Sequence, residues 1–247
     1  MSLTLERPLP ARSIPMPGCH IRRALLLASP VRTPFSHWLP RNVLPFWLRE
    51  TIHALPFSPA LSGDTFGKRE THNTTRIFIS ESNRRQFAAC DDLANAFQDE
   101  ATVGLLEDLT GARLDGGFVR IEYCLDTNGF WLEPHTDIGA KLLTLMIYLS
   151  DHPEADNWGT DIMDSTGRIL RHAPGANNQG LLFVPGPDTW HGFAKRRISG
   201  IRRSLIVNYV TPDWCARYEL AFPDEAVVSE QEPRIGTDLR RGPSVSD

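Results

Sequence analysis

Residues 118–149 read FVRIEYCLDTNGFWLEPHTDIGAKLLTLMIYL, and the reading of this stretch decides the fold. Phe118–Cys124, Phe130–His135 and Leu142–Leu149 are short runs of apolar, β-branched and aromatic residues, parted by Asn128-Gly129 and Gly139. Runs of this length bounded by turn residues are the signature of strands. The pattern continues toward the C-terminus through Thr160–Met163, Arg168–His172, Leu181–Val184, His191–Ala194 and Ser204–Val210. Asn157, Gly159, Gly167, Gly175, Gly180 and Pro185-Gly186-Pro187 punctuate it.

Toward the N-terminus the period changes. Stretches 40–55 and 84–110 carry helical spacing, with Leu93, Ala96, Phe97, Val103, Leu106 and Leu109 on one face. Asp91-Asp92 supplies a start and Gly111 a stop. One strand is expected upstream, at Arg76–Ser80. Many short strands preceded by helices predict a mainly β protein with flanking helices. Its core would be a double-stranded β-helix (a jelly-roll, cupin-like core) behind an N-terminal helical layer. The expected organisation is one domain over 31–225, with the jelly-roll core at about 117–212. Pro8, Pro10, Pro15, Pro17 and Pro30 mark 1–30 as a flexible leader, and polar 226–247 reads as a disordered tail.

Of the 247 residues 41% are hydrophobic, enough for a substantial core, and the net charge of −4 gives no basic field for nucleic acid or an anionic membrane. No apolar run approaches the ~20 residues of a membrane span, and Ala24–Ala28 is shorter than a secretory h-region of about 7–15. The four cysteines (Cys19, Cys90, Cys124, Cys215) are scattered and form no CxxC pair. This reads as reduced thiols in a cytoplasmic protein.

The chemistry lies at the end of the second strand of the quoted stretch. In His135-Thr136-Asp137 the imidazole and the carboxylate stand two apart on a strand, facing one side, and can converge on one ion. His191 begins a later strand, and Arg202 follows eleven residues beyond it in Gly200-Ile201-Arg202-Arg203-Ser204. Two histidines and one carboxylate on one face of a metal form the ligand set that suits iron(II) oxygen chemistry.

With these residues in view, the chain resembles the iron(II)/2-oxoglutarate-dependent dioxygenase superfamily, in its prolyl-4-hydroxylase-like branch. The resemblance covers about Phe118–Tyr209. It includes Pro134 before His135, Thr144–Ser150 as the following strand, and Gly180–Pro185 as the approach to the distal histidine. Trp158-Gly159-Thr160-Asp161-Ile162 departs from the family's usual double glycine. The resemblance implies that His135, Asp137 and His191 bind iron(II) and carry catalysis. It implies that Arg202 grips the distal carboxylate of 2-oxoglutarate, with Tyr148 and Ser204 assisting. Tyr123 and Trp131 would flank the pocket, Tyr123 as a co-substrate contact, although packing is the plainer role for barrel aromatics. Arg203 is the rival to Arg202.

The implied reaction hydroxylates a C–H bond of a small molecule or biosynthetic intermediate. Dioxygen is consumed, 2-oxoglutarate is decarboxylated to succinate and CO2, and ascorbate is a candidate reductant. Asp137, where halogenating members carry a small residue, implies hydroxylation. The alternatives are a protein side-chain (prolyl-type) hydroxylase and a non-catalytic metal-binding β-barrel module. The substrate is expected to be a small molecule, anionic if the basic run Lys195-Arg196-Arg197 with Arg202-Arg203 forms a rim; the plainer reading of that run is a solvated face. The polar stretch 66–73 is a candidate lid.

Adjacent residues on a strand face opposite sides, which makes the two arginines separable. Arg202→Ala is expected to weaken 2-oxoglutarate binding about a hundredfold or more, since one charge of a buried pair loses its partner. Arg203→Ala should do far less, as read from anaerobic dissociation constants.

Overall fold

The computed structural model describes residues 16–60, 63–137 and 139–230. Its strands are β1 (Pro30–Val31), β2 (His37–Trp38), β3 (Ile77–Phe78), β4 (Phe118–Asp126), β5 (Leu132–His135) and β6 (Lys141–Tyr148). They continue as β7 (Asp161–Met163), β8 (Ile169–His172), β9 (Gln179–Phe183), β10 (His191–Phe193) and β11 (Arg202–Val210). All eight strands expected beyond residue 117 form, within a few residues of the expected bounds.

Every strand pairing is antiparallel. A seven-stranded sheet runs β1-β2-β9-β6-β11-β4-β3, and a four-stranded sheet runs β5-β10-β7-β8. The two sheets enclose a cavity of about 630 Å³ lined from both sides. This is the expected double-stranded β-helix. The short strands β1 and β2 lie outside what the sequence pattern revealed; β2 extends the larger sheet by pairing with β9, His37 opposite Phe183, and β1 pairs with β2.

The outer face of the larger sheet carries the helices α1 (Pro17–Leu26), α2 (Phe46–His53), α3 (Glu81–Gln86), α4 (Ala88–Gln98) and α5 (Glu100–Thr110). Asp99 starts α5 by accepting from the Thr102 amide at 3.1 Å. Gly111 ends it in the left-handed region at φ 74°. Leu93, Ala94 and Phe97 from α4 pack with Val103 and Leu106 from α5 against Leu143, Leu145, Leu205 and Val207 of the sheet, all fully buried.

The reading of 1–30 as a flexible leader is corrected over 17–26. Pro17 opens α1, whose Ile21 and Leu25 have no exposure and belong to the main core. Arg22 reaches Asp99 at 3.0 Å and Thr102 at 3.1 Å, fastening α1 to α5. One helical turn of apolar spacing among prolines was too short a signal. Residues 1–15 and 231–247 lie outside the described residues. The start of the presumed tail is packed: Val227 is buried and exchanges backbone hydrogen bonds with Gly116 and Gly117. Among the described residues no helix is long and apolar enough to cross a membrane.

Because Ile21 is fully enclosed, truncating it leaves a cavity as well as removing buried surface. Ile21→Ala should lower unfolding stability by about 2–5 kcal/mol, measured by denaturant titration. An unchanged midpoint would detach α1 from the core.

Candidate metal centre

β5 and β10 lie side by side with His135 directly opposite His191 in the register. Asp137 follows two residues after His135, past the strand end. One ligand atom from each of His135, Asp137 and His191 lies within 4.8 Å of the others. The imidazole centroids are 4.4 Å apart.

Each imidazole is fixed in the same way. His135 Nδ1 is 2.8 Å from the Glu133 carbonyl, and His191 Nδ1 is 2.9 Å from the Thr189 carbonyl. A carbonyl can only accept, so each Nδ1 carries its proton and each Nε2 lone pair is left for a cation. Burial is the main cause that lowers the His191 pKa, to about 4, so the ring is neutral at physiological pH. Burial works the other way on Asp137, but the Lys141 ammonium, 2.5 Å from Oδ1, together with His191 and the Thr144 hydroxyl, holds the carboxyl down at about 2. Two imidazole nitrogens and one ionised carboxylate oxygen on one face of a cavity fit an iron(II) ion.

Strand alternation sorts the remaining candidates. On β11, Arg202, Ser204, Ile206 and Asn208 face the interior, while Leu205, Val207 and Tyr209 join the helical side. Arg202 is 2% exposed and lines the cavity. Its Nε donates to the Trp158 carbonyl at 2.7 Å and its Nη1 to Asp126 at 2.6 Å. The Phe193 ring lies 4.6 Å from the guanidinium carbon. Arg203 points to the opposite face. Tyr148 faces inward, but its hydroxyl is engaged by Thr160, donating to Oγ1 at 2.8 Å and accepting from the amide at 3.1 Å. Ser204 lies beside it with Oγ buried and unpartnered.

Tyr123 does not join them. It sits on the odd face of β4 with Val119 and Ile121 in the helical core, its ring 6.4 Å from Phe57. The expectation of a co-substrate contact is corrected: strand period two sends Tyr123 away from the cavity. Trp131 packs on the 63–67 segment, donating to Asp64, and a Cβ at Gly67 (φ 74°) would come within 2.9 Å of its ring. That segment is docked, since the Glu133 amide donates to the Gly67 carbonyl at 3.0 Å. The basic run is not one rim. Lys195 pairs with Asp64 at 2.5 Å, Arg196 with the buried Asp161, and Arg202 lies inside the barrel.

A larger polar group escaped the sequence reading. Arg69 and Arg76 meet Glu122 and Asp126 of β4, and Arg120 bridges Glu122 and Glu219. Burial opposes ionisation of Glu122, yet Arg69, Arg76 and Arg120 outweigh it and hold its carboxyl near 2. The signal was present as charges at 120, 122 and 126 alternating with Val119, Ile121 and Tyr123.

No protein-family model matches the chain, and no curated protein matches it. Among solved structures it is similar to a prolyl-4-hydroxylase of Pseudomonas putida, at 15% identity and TM-score 0.48, over 81% of this chain and 96% of that one. It is similar to a prolyl hydroxylase of Trichoplax adhaerens in complex with a hypoxia inducible factor oxygen degradation domain peptide fragment, at 11% identity and TM-score 0.48, over 78% and 88%. A third likeness is a 2OG-Fe(II) oxygenase family oxidoreductase of Burkholderia pseudomallei, at 13% identity and TM-score 0.41, over 74% and 72%.

The lowered His191 pKa has a consequence for the metal-free protein. Between the usual histidine value of 6.5 and about 4, the unfolded chain binds a proton at this residue that the folded chain refuses. Stability should therefore fall as pH drops through this window. His191→Gln should reduce the slope, as measured by thermal melts at pH 7, 6, 5 and 4.

Proposed function

We propose that this chain is an iron(II)- and 2-oxoglutarate-dependent oxygenase that hydroxylates a C–H bond of a small polar molecule. The observation that carries the proposal is the convergence of His135, Asp137 and His191, with both Nδ1 atoms pinned by backbone carbonyls, on a cavity that also holds a buried arginine.

In this reading His135, Asp137 and His191 would hold the metal at the wall of the cavity. When bound, the metal with 2-oxoglutarate and dioxygen supplies the oxidising power that turns a C–H bond into C–OH, with succinate and CO2 as by-products. The chain supplies position. Arg202 offers a planar fork, held by Asp126 and Trp158, for the distal carboxylate of the co-substrate. Leu132, Met146, Phe193 and Ile206 give the same cavity its apolar wall. Lys141 and Thr144 orient Asp137, and the Thr189 and Glu133 carbonyls orient the imidazoles.

Substrate polarity follows from the rest of the lining. Lys68, Arg69, Glu70, Arg76, Arg120, Glu122, Glu219 and Asn208 occupy it together with Trp214. An extended hydrocarbon entering this lobe would strip hydration from charged groups without replacing it. A compact molecule carrying its own charges suits the space.

The test is stoichiometric. Purified chain should take up one iron(II) and turn 2-oxoglutarate into succinate. His135→Ala, Asp137→Ala and His191→Ala should each abolish succinate formation while leaving the far-ultraviolet circular dichroism unchanged. An Asp137→Ala protein with wild-type succinate output would remove the triad from the mechanism.

A further inference from the structure

The cavity holds a buried charge cluster that does not balance among the described residues. Its cations are Arg69, Arg76, Arg120 and Arg202; its anions are Glu122, Asp126 and Glu219. Four positive groups face three negative ones. Lys141 stands apart, paired with Asp137, and the remaining charged lining residues, Lys68, Glu70 and Glu133, are exposed to solvent.

The arrangement of the cluster shows where the excess acts. Arg202 and Asp126 stand opposite one another on β11 and β4, with Nη1 2.6 Å from Oδ2. Alone, this would be a neutral ion pair and a poor site for an incoming carboxylate. Asp126 has a second arginine: Arg69 places Nη1 3.2 Å from Oδ1 and Nη2 3.4 Å from Oδ2. Both guanidiniums also lie over the Phe130 ring, at 4.7 Å for Arg69 and 5.6 Å for Arg202. Glu122, the other carboxylate near Arg69 at 3.6 Å, is already gripped by Arg76 through both its oxygens.

From this geometry we infer that Arg69 is a positioning and specificity-determining residue of the co-substrate site. It neutralises Asp126, leaving Arg202 with unspent positive charge for the distal carboxylate of a 2-oxo diacid. The inference rests on the oxygenase reading above and extends it to a residue outside the barrel strands. Arg69 begins the 3-10 turn Arg69–Thr75, held against β5 by the Glu133–Gly67 backbone bond and by Thr65, which accepts from the Trp131 amide at 3.0 Å. The segment expected to be a lid therefore supplies a fixed wall of the anion site.

The argument is one of charge, so charge tests it. Anaerobic titration calorimetry on the iron(II)-loaded protein measures 2-oxoglutarate, a dianion, and 2-oxobutyrate, which lacks the distal carboxylate. Arg69→Gln should weaken 2-oxoglutarate binding on the order of tenfold to a hundredfold, the usual scale for losing one partner of a buried charge pair. It should leave 2-oxobutyrate nearly unchanged. Arg69→Lys, which keeps the charge, should recover most of the loss. The decisive variant is the double Arg69→Gln/Asp126→Asn, which restores one excess positive charge and should bind 2-oxoglutarate more tightly than Arg69→Gln alone. If wild type binds 2-oxoglutarate and Arg69→Gln binds it equally well, the inference fails while the oxygenase reading stands. A double variant weaker than the single one reduces Arg69 to a structural brace and also overturns the inference. Wild type that binds no 2-oxoglutarate overturns both.

Discussion

The pairing of β11 with β4 on one side and β6 on the other is the constraint on which the rest of the molecule depends. Nine residues of β11 pair with β4 without interruption, and the register to β6 holds from Ser204 to Tyr209. A strand flanked on both sides, with alternate residues facing opposite ways, must satisfy two environments at once. Leu205 and Val207 meet the helices, and the Tyr209 hydroxyl donates to the Phe97 carbonyl of α4 at 2.6 Å. Arg202, Ile206 and Asn208 meet the cavity. A slip of one residue would exchange these sets, placing Arg202 and Asn208 on the helical side and Leu205 and Val207 in the barrel.

The interior face is unusual for its charge. Transferring ions from water into a protein costs several kcal/mol each, and pairing returns that cost only when the remaining hydrogen bonds are also made. Arg120 meets the condition: Nε donates to Glu219 at 2.5 Å, Nη1 to Asn208 at 3.2 Å and Nη2 to Glu122 at 3.5 Å. Asn208 in turn donates to Thr144, which donates to Asp137. A continuous polar chain thus runs from the far lobe to the Asp137 carboxylate, and the donors along it fix the orientation of that carboxylate.

Much of the fold was legible because it is written locally. Gly and Pro punctuation located eight strands, and HxD with a distant histidine picked out three side chains that lie together, since strand period two makes spacing a statement about direction. The same period, applied to β4, would have placed Tyr123 with Val119 and Ile121 rather than in the cavity. The charge cluster was harder to read. Arg69 and Asp126 are brought together by a docked loop, and no local pattern encodes which loop folds back over which strand end. Helix α1 stayed hidden for a different reason: its burial comes from Ile21 and Leu25 packing into a core built by residues far along the chain, with Arg22 adding an ion pair to Asp99.

The cross-strand register of His135 and His191 has a consequence for assembly. The two donors belong to strands separated by most of the barrel sequence, yet they are immediate neighbours in the smaller sheet. Before the strands meet, the β5 end carries two of the three proposed ligands, His135 and Asp137, and β10 carries only His191. Tight uptake of a divalent ion at the proposed centre would therefore report that β10 has closed onto β5. In the proposed reading an ion would favour the finished barrel over its partly formed competitors, because only the closed sheet would offer it all three donors.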